Sequence, residues 1–178
     1  SKVEKILKDI KRLLDELRKK LKEVKDRLDE INEELRETLK RSLDRNRKIN
    51  EELKDKLRRR NAPEDVDEES KKHLEDVKRK IDEIRKRSEE HRKRVEDEIR
   101  ELEERLKELL KRARDVVREG RVGDEVLKRV EEEIRRLEEE LDRTLERSKR
   151  EVEKIKREIE RTNRESERAV KEIDDRER

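Results

Sequence analysis

Phe, Trp, Tyr, Cys and Met are all absent from this chain of 178 residues, and it holds only two Gly and one Pro. Without cysteine there is no disulfide, no thiol chemistry and no thiolate metal site. Without aromatic rings there is no platform on which nucleic-acid bases could stack. No apolar run exceeds two residues, whereas a membrane span needs about 20 and the core of a secretory signal about 7–15. The chain is therefore expected to be soluble, with no natural destination, and recoverable from the cytoplasm on recombinant expression. A dominant charge is also missing. Lys and Arg number 58 against 55 Asp and Glu, for a formal charge of +3, and the two signs are finely interspersed. Nucleic acid or an anionic membrane would need a one-signed patch, so neither is an expected partner.

What is present is charge, 63% of residues, with 26% hydrophobic. That composition suits either a disordered polyampholyte or a protein of long helices. Periodicity separates the two. From Val3, inward-type residues recur at Leu7, Ile10, Leu14, Leu17, Leu21, Val24, Leu28, Ile31, Leu35, Leu39, Ser42, Asn46, Ile49, Leu53 and Leu57. Their mean step is about 3.6 residues, the period of a straight α-helix rather than of a supercoiled heptad seam.

Ser1 and Glu4 have the spacing of a capping box, which starts a first helix of about residues 2–60. The "NAPED" segment breaks it, and Pro63 suits the first turn of a second helix, about 63–119. Gly120 is placed to end that helix, "GRVG" forms a short loop, and Asp124 is the expected N-cap of a third helix, about 124–176. Short loops between helices of similar length predict an all-α fold. The expected architecture is one elongated domain over residues 1–178, an antiparallel up-down-up three-helix bundle of nearly straight helices of about 55 residues each.

A repeat runs inside the helices. "INEEL" occurs at Ile31–Leu35 and again at Ile49–Leu53; "SKKH" at Ser70–His73 is answered by "SEEH" at Ser88–His91; Thr144 and Ser148 recur as Thr162 and Ser166. Each copy lies 18 residues from the other, five helical turns or about 27 Å, so both point the same way. Antiparallel neighbours at one level share a residue-number sum, as Asn32–His91 and Asn50–His73 do. Parallel neighbours share a difference, as Asn32–Ser148 and Asn50–Ser166 do.

Two polar layers are thereby predicted, one of Asn32, Ser88, His91, Thr144 and Ser148, the other of Asn50, Ser70, His73, Thr162 and Ser166. The second is enlarged by Asn46 and Asn163, which stand where the first has Leu28 and Leu145. A third level, Leu14, Leu106, Leu109, Val126 and Val130, is wholly apolar. An unsatisfied buried polar group costs about 1–3 kcal/mol, so the polar residues of a layer are expected to bond one another, with Asn32 and Asn50 as hubs that set register.

With its idealised helices, saturated Glu/Lys/Arg surface, minimal loops and repeated polar layers, the chain resembles de novo designed helical bundles with modular buried hydrogen-bond networks. It is similar in particular to those whose buried histidines make the assembly pH-responsive. The resemblance implies a structural scaffold with no natural biochemical function, or alternatively a pH-responsive assembly module destabilised by protonation of His73 and His91. A spectrin-like natural coiled coil would carry aromatics and a less regular surface.

Chemistry-bearing readings fare worse. His73 and His91 are about 27 Å apart on one helix and cannot share an ion. Ser70 and Ser88 stand at i−3, where a helical di-metal motif needs Glu. Each Ser–His pair lacks a cleft, an oxyanion hole and a positioned acid. No enzyme activity, cofactor, metal or small-molecule substrate is expected. A neutral buried imidazole in a network offers an acceptor that protonation removes, so acid is expected to weaken the bundle. The many i,i+4 Glu–Lys and Glu–Arg pairs read as solvated faces. Flank positions Ile6, Leu13, Leu43, Leu74, Leu110 and Val117 either edge a closed core or form a groove. A monomer is the expected state, with self-association or a designed partner helix as the alternatives.

Overall fold

Residues 2–59, 64–119 and 123–176 are described by a computed structural model, apart from the side chains at 2, 3, 6, 64–67, 117, 124 and 176. Three helices account for nearly all of them: α1 (Lys2–Arg59), α2 (Glu64–Glu119) and α3 (Asp124–Arg176). The fold is an all-α three-helix bundle, and no strand occurs among the described residues. The predicted helix boundaries agree with these to within a residue. Ser1, Pro63 and Gly120, the expected cap and break residues, lie outside the described residues.

One terminus differs from expectation. The Gly123 carbonyl accepts from the backbone N–H groups of Val126 (3.1 Å) and Leu127 (3.3 Å). An N-cap is the residue whose carbonyl takes the first helical hydrogen bonds. Gly123 therefore holds that place and Asp124 is the first residue inside α3.

The chain forms two compact units, and each helix contributes a segment to each. The first comprises Ser1–Ile31 and Arg92–Lys149. Its core takes Ile10, Leu14, Leu17, Val24 and Leu28 from α1, at steps of three, four and seven residues that keep one helix face inward. α2 supplies Val95, Ile99, Leu102, Leu106, Leu109 and Ala113, and α3 supplies Val130, Ile134, Leu137 and Leu141. Four residues of the predicted apolar level, Leu14, Leu106, Leu109 and Val130, are buried in this cluster, and Val126 is half-buried. Leu13 and Leu110, two of the flank positions, pack against the same cluster and so widen the chain's own core.

The second unit comprises Asn32–His91 and Arg150–Arg178. Leu35, Val77, Ile84, Val152, Ile155 and Ile159 are buried there. A separate small cluster is built from Leu53, Val170 and Ile173, with Ile49, Leu57 and Leu74 packed against it. Leu43 is half-buried, and the side chains of Ile6 and Val117 lie outside the described residues.

Charged side chains also mark helix register. In the first unit α2 and α3 are joined by Arg105–Glu140, Arg112–Glu133 and Glu98–Arg147, and in the second by Lys80–Glu165 and Arg87–Glu158. Within each unit these pairs share one residue-number sum, as packed antiparallel helices do. Between α1 and α3 the pairs Lys20–Asp142, in the first unit, and Arg45–Glu167 and Lys56–Asp174, in the second, keep nearly constant separations of 118–122, as parallel helices do. Reading charges only at i,i+4 misses these cross-helix pairs. Most of their side chains are well exposed, so each contributes at most about 1 kcal/mol.

Candidate functional site

Seven polar residues expected at one level fall within the second unit: Asn46, Asn50, Ser70, His73, Thr162, Asn163 and Ser166. Helical periodicity turns them inward. Asn46 (2% exposed), Ser70, Thr162, Asn163 and Ser166 (0%) are buried, while Asn50 and His73 are half-buried.

Four of them form a continuous hydrogen-bond chain. Asn50 Nδ2 donates to Asn46 Oδ1 at 2.9 Å. Asn46 Nδ2 donates to Asn163 Oδ1 at 2.9 Å and to Ser166 Oγ at 3.3 Å. Asn163 Nδ2 in turn donates to the backbone carbonyl of Ser42 at 3.4 Å. The centre is Asn46, with three of these bonds, rather than the expected hub Asn50, which has one. Asn46 and Asn163 both break the 18-residue repeat, since Leu28 and Leu145 occupy the corresponding places. The bond that links α1 to α3 at the centre of this layer, Asn46 to Asn163, is thus made by two residues that are not repeated.

Two hydroxyls bond within their own helix instead of across it. Thr162 Oγ1 donates to the Glu158 carbonyl of its own helix at 2.8 Å, and Ser88 Oγ donates to the Ile84 carbonyl at 2.9 Å. A hydroxyl one turn below a free lone pair satisfies itself locally and needs no partner on another helix.

His73 carries the perturbed imidazole. Burial pushes its pKa below the usual histidine value, with Lys80 acting in the same direction and the carboxylates of Glu165, Asp76 and Glu172 opposing it. Its Nε2 and the Oδ1 of Asn50 are buried polar atoms without a hydrogen-bond partner.

Of the five residues expected in the other layer, Asn32, Ser88 and His91 belong to the second unit and Thr144 and Ser148 to the first. His91, Thr144 and Ser148 are buried, and Asn32 and Ser88 half-buried.

No cluster of three or more His, Cys, Asp or Glu suited to a metal occurs among the described residues. Among the described residues no helix is long and apolar enough to cross a membrane. The concavities lined by Lys8, Asp15 and Lys19 and by Lys78, Asp82 and Lys86 are open stretches of single-helix surface.

Fold and site together define a three-helix bundle with a hydrogen-bonded amide chain in its interior. No family model, curated protein or solved structure matches the chain.

Proposed function

We propose that this chain is a structural scaffold of designed character, without enzymatic activity, in which the amide chain centred on Asn46 sets the register of α1 against α3. The observation that carries the reading is the linked set Asn50, Asn46, Asn163 and Ser42. Apolar contacts between such helices are interchangeable on sliding by a turn. A buried amide is not, because every register but one leaves its donors and acceptors unpaired at about 1–3 kcal/mol each. The absence of aromatics and the saturation of the surface with charge support the designed character.

Spin labels at the exposed positions Arg47 and Arg164 test the register role. The parent gives one narrow distance distribution, and Asn46→Leu/Asn163→Leu gives a broader or multiple one. A distribution in the double variant as narrow as the parent's overturns the role.

A second reading, a pH-responsive module, is favoured by the burial of His73. Its folded pKa is lowered, so the unfolded chain binds the proton first. Stability is complete above the unfolded pKa of about 6.5, declines as pH falls below it, and levels off once pH is under the folded pKa. The slope is at most about 1.4 kcal/mol per pH unit, and solvent reduces it because His73 is half-buried. Light scattering separates the readings. A mass of 22.0 kDa at neutral and mildly acidic pH is expected of a monomeric scaffold, and a multiple that falls in acid is expected of a switchable assembly.

A further inference from the structure

The amide chain has a direction. A backbone carbonyl only accepts, so Asn163 must turn Nδ2 toward Ser42. That leaves Asn163 Oδ1 facing Asn46, which must then present Nδ2 and keep Oδ1 for Asn50. Asn50 spends Nδ2 on this bond and is left with Oδ1, an atom that can only accept. Flipping any one amide would set two acceptors or two donors against each other, so the orientation passes from the Ser42 carbonyl to the far end.

Asn50 Oδ1 therefore requires a donor, and it is buried without one. The other unpartnered buried atom is His73 Nε2. Both residues belong to the second unit, and Ile49 and Leu74, their immediate neighbours in sequence, pack against the cluster of Leu53, Val170 and Ile173. An imidazole nitrogen donates or accepts according to tautomer, whereas the amide oxygen has no choice. The charged groups that act on the ring are Asp76 and Lys80 of α2 and Glu165 and Glu172 of α3, while α1 presents the Asn50 amide.

We infer that these two orphaned atoms pair, His73 in its Nε2–H tautomer turning to donate to Asn50 Oδ1 and so end the amide chain, a bond the structure leaves unmade and a conclusion that rests on the amide chain being the register element. The consequence for acid reverses the sequence-based mechanism. An imidazolium keeps its Nε2–H, so protonation leaves this bond in place and the cost of acid comes from putting a charge into a partly dry site, not from losing an acceptor.

Nitrogen NMR of the full chain with ¹⁵N-labelled histidine, at a pH where His73 is neutral, tests the assignment, the His73→Gln variant identifying its signals. A protonated Nε2 with an unprotonated Nδ1 is expected, and the opposite tautomer overturns the inference. A double-mutant cycle in urea on His73→Leu and Asn50→Leu supplies a second measurement. Coupling of at least about fivefold in the folding equilibrium constant is expected for a bonded pair, and additivity within about twofold overturns it. If the amide chain itself is misassigned, the cycle on Asn46 and Asn163 is additive as well. If only His73 is misassigned, that cycle keeps its coupling.

Discussion

Replacing Asn46 by Leu installs at the centre of the amide chain the residue that the repeat places one period earlier, at Leu28. The gain is the burial of an apolar side chain, about 1.5–3 kcal/mol relative to an exposed one. Against it stand the partners left behind. Asn163 Oδ1 loses its donor in a site where Asn163 is only 7% exposed, and Ser166, fully buried, loses a donor to its hydroxyl. Each stranded group costs about 1–3 kcal/mol, so Asn46→Leu alone destabilises by about 1–3 kcal/mol net. Adding Asn163→Leu removes the stranded amide and buries a second apolar side chain, so the double variant is expected to match or exceed the parent. The cycle should thus show a favourable coupling of about 1–3 kcal/mol, well outside the scatter of about 0.5 kcal/mol seen for independent sites. Urea denaturation followed by helicity, on the parent, both single variants and the double, measures it. Additive effects, or a double variant worse than either single one, would refute the reasoning.

Three further outcomes are expected. Leu53→Ala removes a fully buried side chain from the small cluster with Val170 and Ile173, and should cost about 2–5 kcal/mol in the same urea assay. Denaturation midpoints of the parent should fall as pH drops below about 6.5, because burial lowers the His73 pKa; a His73→Leu variant should lose part of that decline, and an identical decline in both would show that His73 is not its source. Gly123→Ser should raise stability by a few tenths of a kcal/mol, since Gly123 occupies the N-cap of α3, a Cβ there meets nothing within 4 Å, and a serine hydroxyl can accept from the first turn; a loss in melting temperature would count against the cap assignment.

Much of the fold was legible because helix formation and helix facing are local. The 3.6-residue step from Val3 to Leu57 specifies which side chains point inward, and Leu14, Leu17, Val24, Leu28, Leu35 and Leu53 are all buried. The helix limits expected from the "NAPED" and "GRVG" segments agree to within a residue with those of the described helices. Equal residue-number sums and differences brought Asn46, Asn50, Ser70, His73, Thr162, Asn163 and Ser166 into one unit, since level along a helix is simple arithmetic on a rise of about 1.5 Å per residue.

Which of those polar atoms bond was not legible. Thr162 and Ser88 each choose between a cross-helix partner and the carbonyl one turn back, and both take the nearer acceptor. Asn46 rather than Asn50 became the centre because it is the more deeply buried of the two, within reach of α3 at both Asn163 and Ser166. The ion pairs between α2 and α3 were hidden for a related reason: a Glu at position 140 has same-helix cations nearby in sequence, and only packing brings Arg105 to it.

By itself, then, the sequence determined the number of helices, their limits and the face each turns inward, because backbone propensity and the angular period of side chains act over a few residues. Only the tertiary structure decided that Asn46 links the helices, that two hydroxyls serve their own backbone, and that Gly123 caps α3. A hydrogen bond depends on distances of about 3 Å and on the direction of each lone pair, and neighbouring helices supply those only once they are packed.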